Sequence, residues 1–567
     1  MVTSSGQFRF AKHDSIGANA AEEDRAFLAD CFFDTGDLKI LLDFDSPMCI
    51  ACGRTGSGKS ALLEMIKRKN THQIIDIRPE TLSFNYIANS TIIRFFFELG
   101  VNLDPFFKLL WRHTIAVEII RHKFQLKTPE AKKNWLQNWL ASKPGKAHVE
   151  RQKRHERAIS YIERYGDEFW EKTEYRSKEI ATKFETELRN SATAGGHIAI
   201  AMLPVAITTD LEYSREITKG LTCEQRATWI NRGQSVINSV QVRELEDIFN
   251  LINELLDDDR ERYVILIDRL DDSWVDDSIR FRLIRALIDT AREFRKVKNA
   301  KVIIALRKDL LERVFKHTRP GDAGFQEEKF KSLILPVMWE RSQLINLIDM
   351  RIAKMVKDRY TKAVITHKDI MTNKQLGTKG NHQNPIDYIL DRTWMRPRDA
   401  IEFLNICLRQ AVGKSCLTGA MLTAAESEYS RSRFQSLGDE WNALYPGLLE
   451  FLSICRKRPR EFHLGEFTNA QVDSFCLDFV INNEHVEGRL AELARAIVDA
   501  TDTQQHFRSS VAYIFYLIGA CGLKNESYNT FSWHTGDSIS LSLADISDKS
   551  HVSIHPALWR HLGIDPR

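Results

Sequence analysis

The chain is 567 residues long, too long for one compact core, so several domains are expected. Hydrophobic residues make up 43% and charged residues 28%, the balance of an ordinary globular protein, which excludes a disordered or fibrous chain. The formal net charge of +3 is too small for a general nucleic-acid coat, so any such contact would be a local patch.

The stretch Met1 to Lys12 is polar and lacks the apolar segment of a signal peptide. The longest apolar runs, Ile198 to Ile207 and Val511 to Leu523, are too short to span a bilayer. A cytoplasmic protein without membrane contact is expected. The 9 cysteines are scattered without a framework, which suits a reducing compartment. Cys49-x-x-Cys52 has the spacing of a redox or zinc half-site, but residues three apart on a strand face opposite sides, and no second pair completes a zinc site.

In chain order, residues 15–44 read as a helical lead-in, with a turn at Asp34 to Asp37 before Leu38 to Leu42. An apolar run from Met48 then ends in Gly53-Arg54-Thr55-Gly56-Ser57-Gly58-Lys59-Ser60, and Lys59 opens an amphipathic helix. This is the P-loop spacing G-x-x-x-x-G-K-S between a strand and a helix. Glycines let backbone N–H groups turn in around phosphate oxygens, and the helix N-terminus adds its positive dipole end. In this pattern Lys59 reaches the β/γ-phosphates and the Ser60 hydroxyl holds Mg²⁺.

Ile74 to Ile77, stopped by Pro79, predicts a second strand, and Leu109 to Ile120 a buried helix. From about 127 to 190 charges of both signs crowd a helical pattern, with a basic cluster at 150–157, which predicts a solvated helical insertion. Tyr263 to Ile267 is a continuous apolar run that predicts a parallel strand buried on both faces. It is followed by Asp268-Arg269-Leu270-Asp271-Asp272, a Walker B pattern in which Asp268 belongs to the Mg²⁺ shell. A helix over Ser278 to Val297 leads to another buried strand, Val302 to Leu306, ending in Arg307-Lys308-Asp309; Leu333 to Val337 is a further short strand.

The pattern is then helical to about Arg433, and Pro397 near a helix start makes Arg398 project from a first turn. Beyond Trp441, Phe507 to Leu523 reads as helix, Phe531 to Trp533 and Ile539 to Leu543 alternate like strands, and His551 to Ile554 leads into a last helix, a pattern compatible with a winged-helix-type module. Arg456-Lys457-Arg458-Pro459-Arg460 is the densest basic run of this half, a phosphate contact or a solvated loop.

Gly53 to Ser60, Ile265 to Asp272, Ala305 to Leu310 and Arg396-Pro397-Arg398-Asp399-Ala400-Ile401 together resemble a family of bacterial P-loop ATPases related to the AAA+, STAND and KAP groups, FunZ-like proteins among them. The resemblance runs from about residue 15 to residue 445. It implies an α/β fold: an ASCE-type parallel sheet with helices on both faces, then a helical lid; the residues beyond the lid read as a mixed α+β C-terminal module. It also implies that Arg307 reads the γ-phosphate from the end of a core strand, and that Arg398 in the lid contacts the nucleotide across the cleft. Two guanidiniums near a triphosphate stabilise the charge that develops in transfer. The sequence departs from the AAA+ pattern at Arg269, where a Glu usually follows the Walker B Asp and where Arg cannot act as a base. Asp271 and Asp272 are the available carboxylates, Asp271 matching the second acidic position of KAP-like sequences. Arg313 and Arg319 are candidates for an arginine finger supplied to a second subunit.

The expected organisation is a lead-in at 1–44, a core at 45–335, a lid at 336–445 and a C-terminal module at 446–567. The expected function is a Mg²⁺-dependent ATPase acting as a switch or motor, with ATP and Mg²⁺ bound at Gly53 to Ser60 and Asp268, and phage defence as the family setting. Two alternatives stand beside it. One is an ATP-gated nucleic-acid binder using Arg456, Lys457, Arg458 and Arg460 or the 150–157 cluster. The other is a homo-oligomerising scaffold that binds ATP with negligible turnover.

Overall fold

A computed structural model describes residues 8–69, 72–79, 97–124, 261–272, 277–318, 328–378, 381–525, 529–534 and 541–565, with scattered positions between 224 and 256. The charged insertion at 127–190 with its 150–157 cluster, the run Ile198 to Ile207, and Arg319 lie outside the described residues. The chain divides into two compact units. One comprises Gly36–Gly53 and Leu62–Pro336; the other comprises Met1–Thr35, Arg54–Ala61 and Val337–Arg567.

The first unit is built on five strands: β1 (Ile50–Gly53), β2 (Gln73–Ile77), β3 (Tyr263–Ile267), β4 (Ala300–Arg307) and β5 (Ile334–Pro336). They form one sheet in the order β2-β3-β4-β1-β5, and every pairing is parallel. All of β3 and all but the last residue of β4 are buried, as expected of apolar runs covered on both faces. Helices Asp104–Lys123 and Asp277–Phe294 pack together beside it, and the Trp111 indole N–H donates to the Leu283 carbonyl at 2.9 Å. The strands set the position of the chemistry. Gly53 is in register with Arg307, and Ile267 with Ile304. Gly53, Arg307 and Asp268, the residue after β3, therefore leave the sheet at its carboxyl edge, where ligands of open parallel sheets bind.

The second unit is mainly helical, with Arg341–Arg359, Pro397–Gln410 and Gly419–Trp441 as its long helices. The N-terminal segment is tied to it by Arg351, which donates to the Ile16 carbonyl at 2.9 Å and pairs with Asp24. Of the predicted lead-in, only Arg25–Asp30 and Asp37–Leu42 are α-helical, and a short hairpin of β6 (Leu376–Thr378) and β7 (Asn381–Gln383) interrupts the helical stretch expected to Arg433.

Towards the C-terminus a three-stranded antiparallel sheet, β8 (Glu461–His463), β9 (Cys521–Lys524) and β10 (His551–Ile554), runs in the order β8-β10-β9. Between β8 and β9 stand three helices, Asn469–Asn482, Arg489–Val498 and Gln504–Leu517. The last helix is shorter than the apolar run that predicts it. Gly519 takes a left-handed φ of 76°, the conformation that closes helices, and Cys521 to Lys524 becomes strand. Ser532 bridges Leu523; of the predicted strand Ile539 to Leu543, Ile539 and Ser540 lie outside the described residues, and Leu543 opens a 3-10 turn. The Asp545 carboxylate accepts from the Ser542 amide at 2.7 Å there, and such local bonds compete with a ladder. No helix among the described residues is long and apolar enough to cross a membrane.

Candidate functional site

β1 delivers the chain at Gly53 into a turn that Gly56 and Gly58 close with φ of 80° and 100°. Three successive carbonyls of this loop, which belongs to the second unit, are taken by donors of that same unit. Arg396 Nη1 donates to Thr55 O at 2.9 Å, the Arg398 amide to Gly56 O at 3.4 Å, and Trp339 Nε1 to Ser57 O at 2.8 Å. In a trans peptide the N–H points away from the C=O. The amides of Gly56 and Gly58, which share the Thr55 and Ser57 peptide groups, therefore face the other way.

The loop is closely supported. A Cβ at Gly56 would stand 2.8 Å from Cβ of Arg398, so a side chain there would both clash and be strained. Lys59 opens the helix Lys59–Lys69, and its Nζ donates to the Arg54 carbonyl at 2.9 Å, an anchor that holds the ammonium against the loop. Thr55 Oγ1 and Ser57 Oγ are shut away from solvent with no hydrogen-bond partner among the described residues. Buried hydroxyls ordinarily have one. Glycine amides turned one way, an ammonium and two orphaned hydroxyls form a donor set suited to an anion with several oxygens.

Arg396 is 5% exposed and sits in a buried ionic cluster. Its Nε donates to Asp399 Oδ2 at 2.7 Å, and its Nη1 lies 3.2 Å from Glu440. Arg433 meets the other Asp399 oxygen at 2.7 Å. Burial alone would raise the Asp399 carboxyl, but Arg396 and Arg433 outweigh it and hold it below the usual carboxylate range. Burial would lower the Arg396 guanidinium, and Asp399 and Glu440 hold it raised instead. The residue that grips the loop is thus fixed as a cation. Arg398 stands beside it in the first helical turn, as expected, with its Cβ over Gly56 and its Nε donating to Asn19 O at 3.2 Å.

At the carboxyl edge of the parallel sheet, Asp268 Oδ1 accepts from the Arg269 amide at 2.8 Å, and Arg269 takes a left-handed φ of 60°. Arg307, the last residue of β4, is held at two points by Asp309, Nε to Oδ1 and Nη2 to Oδ2, both at 2.9 Å. Its Nη1 reaches Asp271 Oδ2 at 3.4 Å. The structure therefore brings together Arg307 and Asp271, two residues singled out separately in the sequence. Asp272 is exposed, and its carbonyl accepts from Arg280 Nη1 at 3.0 Å. Arg313 is 8% exposed and donates to Asp309 at 3.2 Å, so this finger candidate is held inside its own chain. Ser60 is the second residue of the loop helix and is half-buried.

Residues 342–438 match the family model described as the FunZ-associated C-terminal helical domain. The chain is also 22% identical over 570 residues to an Escherichia coli (strain K12) protein named "Putative transposon gamma-delta 80.3 kDa protein", covering 98% of this chain and 68% of that one. The FunZ-associated stretch contains Arg396, Arg398, Asp399 and Arg433. The donors that take the three loop carbonyls therefore come from that stretch, except Trp339, which lies three residues before it.

Sequence reasoning gave no role to Arg396, Trp339 or Asp309. The signal for Arg396 was the Arg-x-x-Asp spacing ahead of a helix, which places Asp399 within reach of it. Asp309 follows Arg307 by two residues, across the strand-to-helix turn. Nothing local marked Trp339. In the basic run, Arg458 donates to Gln471 at 3.0 Å with its guanidinium 4.0 Å from the Phe467 ring centre, while Arg456 and Lys457 are exposed.

Proposed function

We propose that this chain is a P-loop ATPase of the ASCE type, binding Mg²⁺-ATP at Gly53, Arg54, Thr55, Gly56, Ser57, Gly58, Lys59 and Ser60 and hydrolysing it as a conformational switch. One observation carries the reading: a glycine loop at the carboxyl end of a parallel strand has its carbonyls taken on one side, its glycine amides turned to the other, and a lysine against it. The strand order supports it as well, since β4 lies between β1 and β3, so Arg307 leaves the sheet between the strand of the glycine loop and the strand of Asp268.

In this reading Lys59 and the amides bind the β/γ-phosphates, Ser60 and Asp268 hold Mg²⁺, and Arg307 and Arg398 offset the charge of the γ-phosphate. Bound Mg²⁺-ATP supplies the transferable phosphoryl group. Asp271 or Asp272 polarises the attacking water. Arg307 already engages the Asp271 carboxylate at 3.4 Å and so competes with water for it, which favours slow turnover. The name of the E. coli relative supports a setting among mobile-element proteins.

Phosphate release from ATP by the purified chain, with and without DNA, tests this. Lys59→Ala should lower the rate by about 100-fold, the scale of removing one strong donor from a reacting centre. Changing Asp271 and Asp272 together to Asn should abolish turnover while leaving ATP bound; release unaffected by either change would overturn the assignment.

A further inference from the structure

The segment after helix Gln504–Leu517 has its carbonyls claimed one after another. Ile518 O accepts from Arg54 Nη2 at 2.9 Å, Gly519 O from Trp394 Nε1 at 2.8 Å, and Ala520 O from the His555 amide at 2.9 Å. The last carbonyls of a helix have no partners inside it, and a cation there is favoured by the dipole. Arg54 of the glycine loop is therefore the capping group of a helix more than four hundred residues away in sequence.

The same side chains stack. The Arg54 guanidinium lies 5.5 Å from the Trp394 ring centre, and that of Arg396 lies 4.9 Å from it. The His555 ring stacks on Trp394 at 4.9 Å, and Trp533 meets His555 edge-on at 5.4 Å. Trp533 in turn covers Gly522, where a Cβ would come within 2.6 Å of the indole. Cys521 and Gly522 lie in β9, paired with Ile554 and Ser553 of β10. A continuous set of contacts thus leads from the glycine loop to the three-stranded sheet.

We propose that Arg54 and Trp394 couple the ligand state of the glycine loop to the sheet β8-β10-β9, which makes that sheet the part of the chain that reports bound nucleotide. The inference rests on the nucleotide reading above. When phosphates fix the loop, Arg54 is fixed on the Ile518 carbonyl, and the strand that starts three residues later opens less often. Loss of the ligand frees the loop and with it the cap.

Hydrogen exchange on the full chain, with and without Mg²⁺ and the non-hydrolysable analogue AMP-PNP, tests the coupling, beside calorimetric binding of the same analogue. Exchange of the amides at 519–524 and 551–555 should slow by about fivefold or more on binding, the lower end of ordinary coupling between sites. Trp394→Phe keeps a ring but removes the donor to Gly519; it should still bind the analogue and lose most of the slowing, with thermal melting as the check on its fold. Binding without any change in exchange of the unaltered chain overturns the coupling and leaves the nucleotide reading standing. Absence of binding overturns the nucleotide reading, and the coupling falls with it.

Discussion

His555 has both faces of its chemistry used in the neutral form: its Nδ1 accepts from the Ala557 amide at 3.2 Å, and its ring lies among tryptophans. Burial, with the Arg54 guanidinium next in effect, pushes its pKa from 6.5 down to about 3. The folded value lies below the unfolded one, so as pH falls the unfolded chain takes up the proton first. Stability from this residue is complete above pH 6.5 and is lost progressively towards about 3, by about 1.4 kcal/mol per pH unit. Melting temperatures between pH 7 and 5 should therefore fall more steeply for the wild type than for His555→Phe. Parallel slopes would show that His555 takes up its proton in the fold over the same pH range as in the unfolded chain, which would contradict its burial as the cause of the shift. Arg307 and Asp309 make the same point for geometry: a guanidinium gripped at two atoms by a buried carboxylate keeps one nitrogen aimed at Asp271, so its direction is set before any ligand arrives.

Helix Pro397–Gln410 shows how one element carries several roles. Proline at its first position needs no N–H partner, and Asp399 in its first turn suits the positive end of the dipole. Asp399 is fully buried and holds Arg396, which holds the loop. Asp399→Ala leaves Arg396 and Arg433 buried without their carboxylate and should cost about 3–5 kcal/mol in urea unfolding; a cost below about 1 kcal/mol would mean the cluster is not the clamp described. Strands were legible where the residues alone decide them. The uninterrupted apolar runs Tyr263 to Ile267 in β3 and Val302 to Leu306 in β4 suit a sheet covered on both faces. The run Val511 to Leu523 was not legible, because apolar content is the same on both sides of Gly519 and only its backbone conformation divides helix from strand. β8 and the β6-β7 hairpin were missed because three residues are too few to show a period.

Across the whole molecule, the candidate site was legible to the extent that its chemistry is local in sequence. The spacing of Gly53, Gly58, Lys59 and Ser60, and the placement of Asp268 after an apolar strand, can be read without a structure. Arg396 on the Thr55 carbonyl, Trp339 on Ser57 and Arg54 on Ile518 cannot, since each joins residues hundreds of positions apart and depends on the tertiary fold. Within the basic run, Arg458 is held by Gln471 and Phe467, while Arg456 and Lys457 are exposed. The most direct measurement is equilibrium binding of Mg²⁺-ATP to the wild type and to Lys59→Ala, by calorimetry at neutral pH. The account predicts one site per chain, weakened about tenfold or more by the substitution, as loss of a charge-assisted bond requires. Equal affinity of the two proteins, or no binding by the wild type, would contradict it.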